Sequence, residues 1–131
     1  NILFNQKKFI LLDWRQEFQG NTTYGDIYYD LSKLMHGILV PHYSVSKNLF
    51  KISKTKKKFL ISIKKDPKLM NIEKYYKRWL KINNFSYKKV MILTGLIYLN
   101  ISPLHHYPYS YFLYLYGKLI ISKELNDCGE T

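Results

Sequence analysis

Two side chains with metal-binding oxygen atoms stand near the start of the chain, the amide of Asn1 and the carboxylate of Asp13. Two short apolar stretches, residues 2–4 and 9–12, lie between them and flank the polar residues 5–8. An acid directly after a buried strand is held by the sheet behind it and stays open to a cleft in front. The pattern predicts a β-hairpin with a metal-competent side chain at each outer end. From spacing alone, an Asp that only caps a turn fits Asp13 equally well.

The elements behind this hairpin begin with a helix. Gly20 and its polar neighbours predict a turn in the loop 14–25, and Asp26 is a suitable N-cap for a helix that runs to about residue 39. Pro41 marks the exit from this helix, since proline disfavours helical geometry in the residue before it. The apolar residues that recur at helical spacing, and that we expect to face the core, are Ile27, Leu31, Leu34, Met35 and Ile38.

A second hairpin is predicted within residues 48–64, because apolar residues alternate with polar ones on both sides of a lysine-rich turn. We expect one of its faces to lie in solvent. The alternating apolar residues are Phe50, Ile52, Phe59, Ile61 and Ile63.

Three helices follow, over about residues 69–83, 86–101 and 109–123. The middle helix is apolar nearly all round, which is typical of a helix at the centre of a helical domain. The outer two have apolar stripes, predicted to comprise Ile72, Tyr75, Tyr76, Trp79 and Leu80 in the first and Phe112, Leu115, Tyr116, Leu119 and Ile120 in the last. The predicted fold is therefore α+β and mainly helical: an N-terminal β-hairpin, a helix, a second β-hairpin and three helices. We expect one domain over residues 1–125 and a frayed tail over 126–131.

The composition allows one domain with a real core, since 47% of the 131 residues are hydrophobic and 17% aromatic. A net charge of +12 normally suggests a nucleic acid or anionic membrane partner. The excess is almost all lysine, however, and nucleic acid recognition usually draws on arginine, of which only Arg15 and Arg78 are present. The single cysteine, Cys128, excludes an internal disulfide and a cysteine-based zinc site, and it fits a reducing cytoplasm. No apolar run is long enough for a membrane span.

Residues 1–14, NILFNQKKFILLDW, resemble the metal-binding half of the protein-kinase-like catalytic site. In that site, an Asn on the catalytic loop and an Asp after a short hairpin bind the magnesium ions of the nucleotide. Residues 24–34, YGDIYYDLSKL, look like the Gly-Asp-x-x-x-Asp-Leu segment of the aminoglycoside phosphotransferase and choline kinase family. These motifs cover about the first quarter of the chain. The remainder fits the helical C-terminal lobe of such a kinase only as a pattern.

The resemblance implies that Asn1 and Asp13 bind Mg²⁺ with ATP. It also implies that an acid of the following helix, Asp30 or its neighbour Asp26, holds the catalytic loop by accepting backbone hydrogen bonds. Arg15 and Glu17 would border the substrate cleft, although exposed loop charges mostly face solvent. The acceptor would be a small-molecule hydroxyl, on a choline-like amine, an aminoglycoside or a sugar.

The chain departs from the family because three of its segments are missing. These are the loop that covers the phosphates, the lysine that anchors the nucleotide and the His-x-Asp segment with the catalytic base, all of which would precede Asn1. We therefore expect a fragment of a cytoplasmic enzyme that does not transfer phosphoryl groups alone, because metal ligands without the base cannot orient the attacking hydroxyl.

Other side chains have simpler interpretations. His105 and His106 are adjacent and so point apart, which favours a structural loop over a metal pair. The tyrosines of residues 107–116 suit core and rim positions, or an aromatic wall for a cationic amine. The lysines at 54, 56, 57 and 58 fit a solvated hairpin tip. They also leave open an alternative function, a basic binding module that uses this hairpin and the neighbouring helix against nucleic acid or an anionic surface.

Overall fold

The computed structural model describes residues 2–5, 7–11, 17–56 and 58–126 of the chain. In order, the elements are β1 (Ile2–Asn5), β2 (Lys8–Leu11), α1 (Ile27–Leu39), α2 (His42–Ser46), β3 (Phe50–Lys54), β4 (Phe59–Ile63), α3 (Pro67–Ile82), α4 (Tyr87–Ile101) and α5 (Tyr109–Asn126), with a 3₁₀ turn at Ser102–Leu104 between the last two. The predicted mainly helical α+β fold is confirmed.

Each hairpin forms its own two-stranded antiparallel sheet. In the second, Phe50 lies opposite Ile63 and Ile52 opposite Ile61. These four side chains are half-buried and pack against the helical core. The residues between them, including Lys51, are exposed. The predicted alternation with one wet face is therefore confirmed except at Phe59, which is 44% exposed.

Helix α4 lies at the centre of the fold, with α1, α3 and α5 all packed against it. Its Val90, Thr94 and Tyr98 are completely buried. Helix α5 contributes Phe112 and Leu113, which are equally buried. The prediction that the apolar helix is central is confirmed.

Three of the helices begin at a residue whose side chain accepts a hydrogen bond from the first turn. Asp26 Oδ1 accepts from the Tyr28 amide at 2.9 Å, and Asp66 Oδ1 accepts from the Lys68 amide at 2.8 Å. Ser86 Oγ accepts from the Lys89 amide at 3.2 Å. These caps satisfy backbone N–H groups that have no partner within the helix. With Pro67 at its first position, α3 starts two residues earlier than predicted.

The predicted core face of α1 is partly wrong. Ile27 and Leu34 are 52% and 51% exposed, whereas Ser32 and Leu39 are buried. The reason is the hydroxyl of Ser32, which donates to the backbone oxygens of Tyr28 at 2.6 Å and, less closely, of α4. A small, hydrogen-bonded side chain thus occupies the contact between α1 and α4, and the helix is rotated relative to the apolar stripe.

Similar corrections apply to the outer helices, where three residues of the predicted stripes are exposed: Ile72, Tyr75 and Leu119.

Helix α2 was not predicted, because five residues are too few to show a helical period. Pro41, predicted only as the end of α1, is also the N-cap of α2. Of the predicted tail, Asn126 is the last residue of α5, and residues 127–131 lie outside the described residues.

Candidate functional site

The N-terminal hairpin is present with the register that its pattern requires. Ile2 lies opposite Leu11 and Phe4 opposite Phe9, and Lys7 in the turn has a positive φ of 66°. The rings of Phe4 and Phe9 are in contact, with centroids 5.0 Å apart, and both are mostly exposed. The cross-strand aromatic pair stabilises the register. The predicted metal ligands Asn1 and Asp13, and the predicted substrate residue Arg15, lie outside the described residues.

Glu17 is exposed and stands immediately before a tight turn. Phe18 and Asn21 exchange backbone hydrogen bonds of 2.7 and 3.0 Å across Gln19 and Gly20, which have positive φ values of 52° and 78°. The turn predicted at Gly20 is therefore present. Asn21 Oδ1 then accepts from the Thr23 amide at 2.8 Å. This hydrogen bonding orders the loop that leads into α1.

The two acids of α1 differ in what they contact. Asp26 is exposed and serves as the N-cap described above. Asp30 is exposed in the first turn and makes no hydrogen bond to another described residue. Both carboxylates remain open to contact from outside the described part of the chain.

A basic cleft of about 670 Å³ lies where α3, α4 and the start of α1 meet. We call it the α3–α4 cleft, and its lining residues are Tyr28, Lys74, Lys77, Arg78, Lys81, Asn84, Phe85, Ser86 and Tyr87. Sequence reasoning missed this cleft and assigned no role to the four cations. The sequence feature that could have revealed the cleft is the helical spacing of these cations, which places them on one side of α3.

The connection between α3 and α4 fixes the floor of this cleft. Asn84 has a positive φ of 60°, and the Phe85 amide donates to the Leu80 carbonyl at 2.9 Å. The Asn84 amide donates to the Lys81 carbonyl at 3.2 Å. This is a Schellman ending, which stops α3 and turns the chain sharply into α4. Phe85 then stacks on Trp79 at 5.9 Å.

Two lysines are held against the aromatic walls of the cleft. Lys77 Nζ lies 4.4 Å from the ring centre of Tyr87, and Lys89 Nζ lies 3.8 Å from that of Tyr28. These are cation–π distances. The Tyr28 hydroxyl also accepts from the Ser86 amide at 3.1 Å, which ties α1 to the start of α4. Burial raises the pKa of Tyr87 to about 12, with smaller contributions from Glu73 and Glu124, so its hydroxyl stays protonated at neutral pH.

The histidine and tyrosine candidates occupy the loop before α5 and the helix itself. His105 and His106 are exposed, and His105 packs edge-on against Tyr109 at 4.9 Å. Within the described ranges, no three His, Cys, Asp or Glu side chains are placed to hold a metal ion. A second, apolar depression of about 460 Å³ is lined by Ser102, Pro103, Tyr107, Ser110, Tyr111 and Tyr114. The tyrosines therefore include both half-buried residues and rim residues.

One half-buried histidine was not singled out from the sequence. His36 stacks on Tyr98 with ring centres 4.8 Å apart, and its Nε2 atom is buried without a hydrogen-bond partner among the described residues. Burial lowers the pKa of His36 to about 4, and Lys33 and His105 add to the effect. Its ring is therefore neutral at physiological pH.

No family model, curated protein or solved structure matches the chain in the three comparisons made. Separately, none of the helices among the described residues has the length and apolar character needed to span a bilayer.

Proposed function

We propose that the chain is the C-terminal part of an ATP-dependent phosphotransferase that acts on a small-molecule hydroxyl, of the aminoglycoside phosphotransferase and choline kinase type. The observation that carries this proposal is the order of elements at the N-terminus. A hairpin with Ile2 opposite Leu11 is followed by an ordered turn and by a helix that Asp26 caps. This is the order in which the family places its metal ligands and the acids that support the catalytic loop.

The side-chain oxygens of Asn1 and Asp13 are of the types that bind Mg²⁺. In the sequence, Asn1 precedes β1 and Asp13 follows β2, and the described strand ends next to them, Ile2 and Leu11, lie opposite each other. A carboxylate and an amide oxygen are the hard ligands that Mg²⁺ prefers. When bound, the metal would neutralise the charge that builds up on the phosphate oxygens during transfer. In this proposal Asn1 and Asp13 orient the nucleotide, while Arg15 and Glu17 border the acceptor.

The proposal assigns no catalytic base to this chain. A base would have to accept the proton of the acceptor hydroxyl, and no His-x-Asp segment occurs in the 131 residues. The base and the nucleotide-covering lobe would be supplied by the complete enzyme. We therefore expect the isolated chain to show no phosphoryl transfer, since positioning of the attacking hydroxyl supplies much of the rate.

The experiment compares Asp13→Asn with the matched control Asp66→Asn in the complete enzyme. The acceptors are choline, an aminoglycoside and a hexose, and Mg²⁺-dependent ADP release is measured. We expect kcat to fall at least about a thousandfold in Asp13→Asn, because a bound metal supplies several kcal/mol of charge stabilisation. Asp66→Asn should retain activity, since Asn also caps helices well. An Asp13→Asn enzyme with wild-type kcat would refute the assignment.

A second candidate, the basic binding module, is supported by the exposed lysines of the second hairpin. Lys54, Lys56 and Lys58 are all exposed at or beside its turn. Such a module would bind an oligonucleotide with an affinity that falls steeply as salt is raised. Fluorescence anisotropy over a series of salt concentrations would measure this slope. Weak binding without a salt dependence would remove this candidate.

A further inference from the structure

We propose that the α3–α4 cleft is a binding site for a soluble small molecule with several phosphate groups. The site is separate from the N-terminal hairpin to which the proposed phosphotransferase function assigns the metal. The inference rests on the cleft's charge, its shape and the way its side chains are held, and not on that function.

The charge of the cleft comes from Lys74, Lys77, Arg78 and Lys81, four cations on one face of α3. Lys74 and Arg78 are four residues apart, as are Lys77 and Lys81, so like charges are neighbours along the helix. Such pairs destabilise a helix by a few tenths of a kcal/mol each. A bound anion would relieve this repulsion.

The acids nearby do not neutralise these cations. Within the described part of the chain, none of the four takes part in an ion pair. Glu73, on the same helix, pairs instead with Lys65 at 2.7 Å. Glu124 is close enough to influence Tyr87 but does not line the cleft. The cleft therefore keeps a strong excess of positive charge.

The shape and the donor types indicate phosphate groups. Along α3, Lys74 and Lys81 are separated by roughly 10 Å, because each helical residue advances the axis by 1.5 Å. A row of this length matches a chain of two or three phosphates better than a single phosphate. Arg78, one of only two arginines in the sequence, supplies a planar fork of donors suited to bidentate phosphate binding.

The aromatic residues of the cleft favour a small polyphosphate over a nucleic acid. Single-stranded nucleic acid binds by stacking its bases on free aromatic faces. Here Lys89 covers a face of Tyr28 and Lys77 covers a face of Tyr87. Phe85 packs between Trp79 and Tyr28, at 5.9 and 5.8 Å. The aromatic rings therefore form walls that hold the lysine side chains, and few aromatic faces are free for nucleotide bases to stack on.

The experiment is calorimetric titration of the 131-residue chain with sodium tripolyphosphate, in low salt, with EDTA and without ATP. The variant Lys77→Gln/Arg78→Gln removes two cations from the cleft. Its matched control, Lys47→Gln/Lys118→Gln, removes two exposed cations that do not line the cleft. Glutamine keeps the helix propensity of lysine and arginine, so the cleft variant should remain folded. Far-UV circular dichroism and a thermal scan check this, and Lys74→Gln/Lys81→Gln serves as a second cleft variant.

We expect the dissociation constant to rise at least about tenfold in both cleft variants, because charge-assisted hydrogen bonds are lost, and less than about twofold in the Lys47→Gln/Lys118→Gln control. No binding by the wild-type chain, or equal weakening in the cleft variants and the control variant, would overturn the proposal. Oligothymidylate is titrated in parallel. Much tighter binding of oligothymidylate than of tripolyphosphate would overturn it in favour of nucleic acid. The assay contains neither magnesium nor ATP, so its outcome is independent of phosphoryl transfer.

Discussion

Gly95 of α4 and Gly117 of α5 face each other where the two central helices cross. A Cβ atom on Gly117 would lie 2.7 Å from the carbonyl oxygen of Gly95, and one on Gly95 would lie 3.0 Å from that of Gly117. The helix backbones are therefore in direct contact, which only residues without a side chain allow. This crossing brings Tyr98 and Phe112 into the same core.

Replacing Gly117 by alanine should destabilise the fold by about 1–3 kcal/mol, since the obstacle is backbone and the helices would have to move apart. Urea unfolding followed by circular dichroism measures the change. Gly37→Ala is the matched control, because nothing lies within 4 Å of a Cβ at that exposed helical position. It should be stabilising by roughly 0.5–1 kcal/mol. Wild-type stability of Gly117→Ala would contradict the close crossing.

Tyr98 links α4 to α1 through a partly buried hydrogen bond. Its hydroxyl donates to the His36 carbonyl at 2.7 Å, and its side chain is completely buried. Tyr98→Phe should therefore cost about 1 kcal/mol, since the His36 carbonyl keeps the Val40 amide at 3.1 Å but loses the hydroxyl, while the ring packing stays. The exposed Tyr75→Phe should change stability by less than about 0.5 kcal/mol. Equal unfolding midpoints for the two variants would show that the hydroxyl contributes nothing.

Stability should fall in mild acid because of His36. Its folded pKa is about 4 against an ordinary value of 6.5, so between these pH values the unfolded chain binds a proton that the folded chain excludes. The unfolding free energy therefore rises with pH across this window. The contribution of His36 to stability is fully present above pH 6.5, and below about pH 4 no further stability is lost through this residue. Urea titrations at several pH values measure the slope.

The variant His36→Gln identifies the source of this slope. Glutamine does not titrate, so the pH dependence between about 4 and 6.5 should flatten even if the variant is less stable throughout. The comparison uses the slope and not the absolute stability, because glutamine also loses the contact with Tyr98. An unchanged slope in His36→Gln would assign the acid sensitivity to other groups.

The regular spacing of hydrophobic residues and the presence of helix-capping residues predicted most of the fold. Both hairpins and all four long helices were located from these signals, and Asp26 was recognised as a cap. Local sequence could not show the rotation of α1, because burying Ser32 depends on backbone oxygens of both its own helix and Val90, which is 58 residues away.

The α3–α4 cleft was missed for the same reason. The lysines of α3 look like a solvated face until Tyr28 and Ser86, also 58 residues apart, come together beside them. The resemblance suggested a different site, at Asn1 and Asp13. Those residues lie outside the described ranges, so the magnesium assignment stays a prediction that the Asp13 variant tests.

Asp26 offers a test that separates a capping role from a role of its charge. Its side chain accepts a hydrogen bond from the Tyr28 amide, so Asp26→Ala should cost about 0.5–2 kcal/mol of stability. Asp26→Asn should cost much less, because an amide oxygen caps equally well. Asp30→Asn controls for charge in the first turn and should cost no more than about 1 kcal/mol.

The same Asp26→Asn variant, placed in the proposed complete enzyme, tests the role that the resemblance implies for this carboxylate. If a carboxylate there holds the catalytic loop, kcat should fall while the unfolding midpoint hardly changes, since the cap is kept and only the charge is lost. Thermal unfolding and turnover are measured on the same preparation. Loss of stability and activity in proportion would leave Asp26 as a cap alone, and normal turnover with normal stability would exclude a catalytic need for its charge.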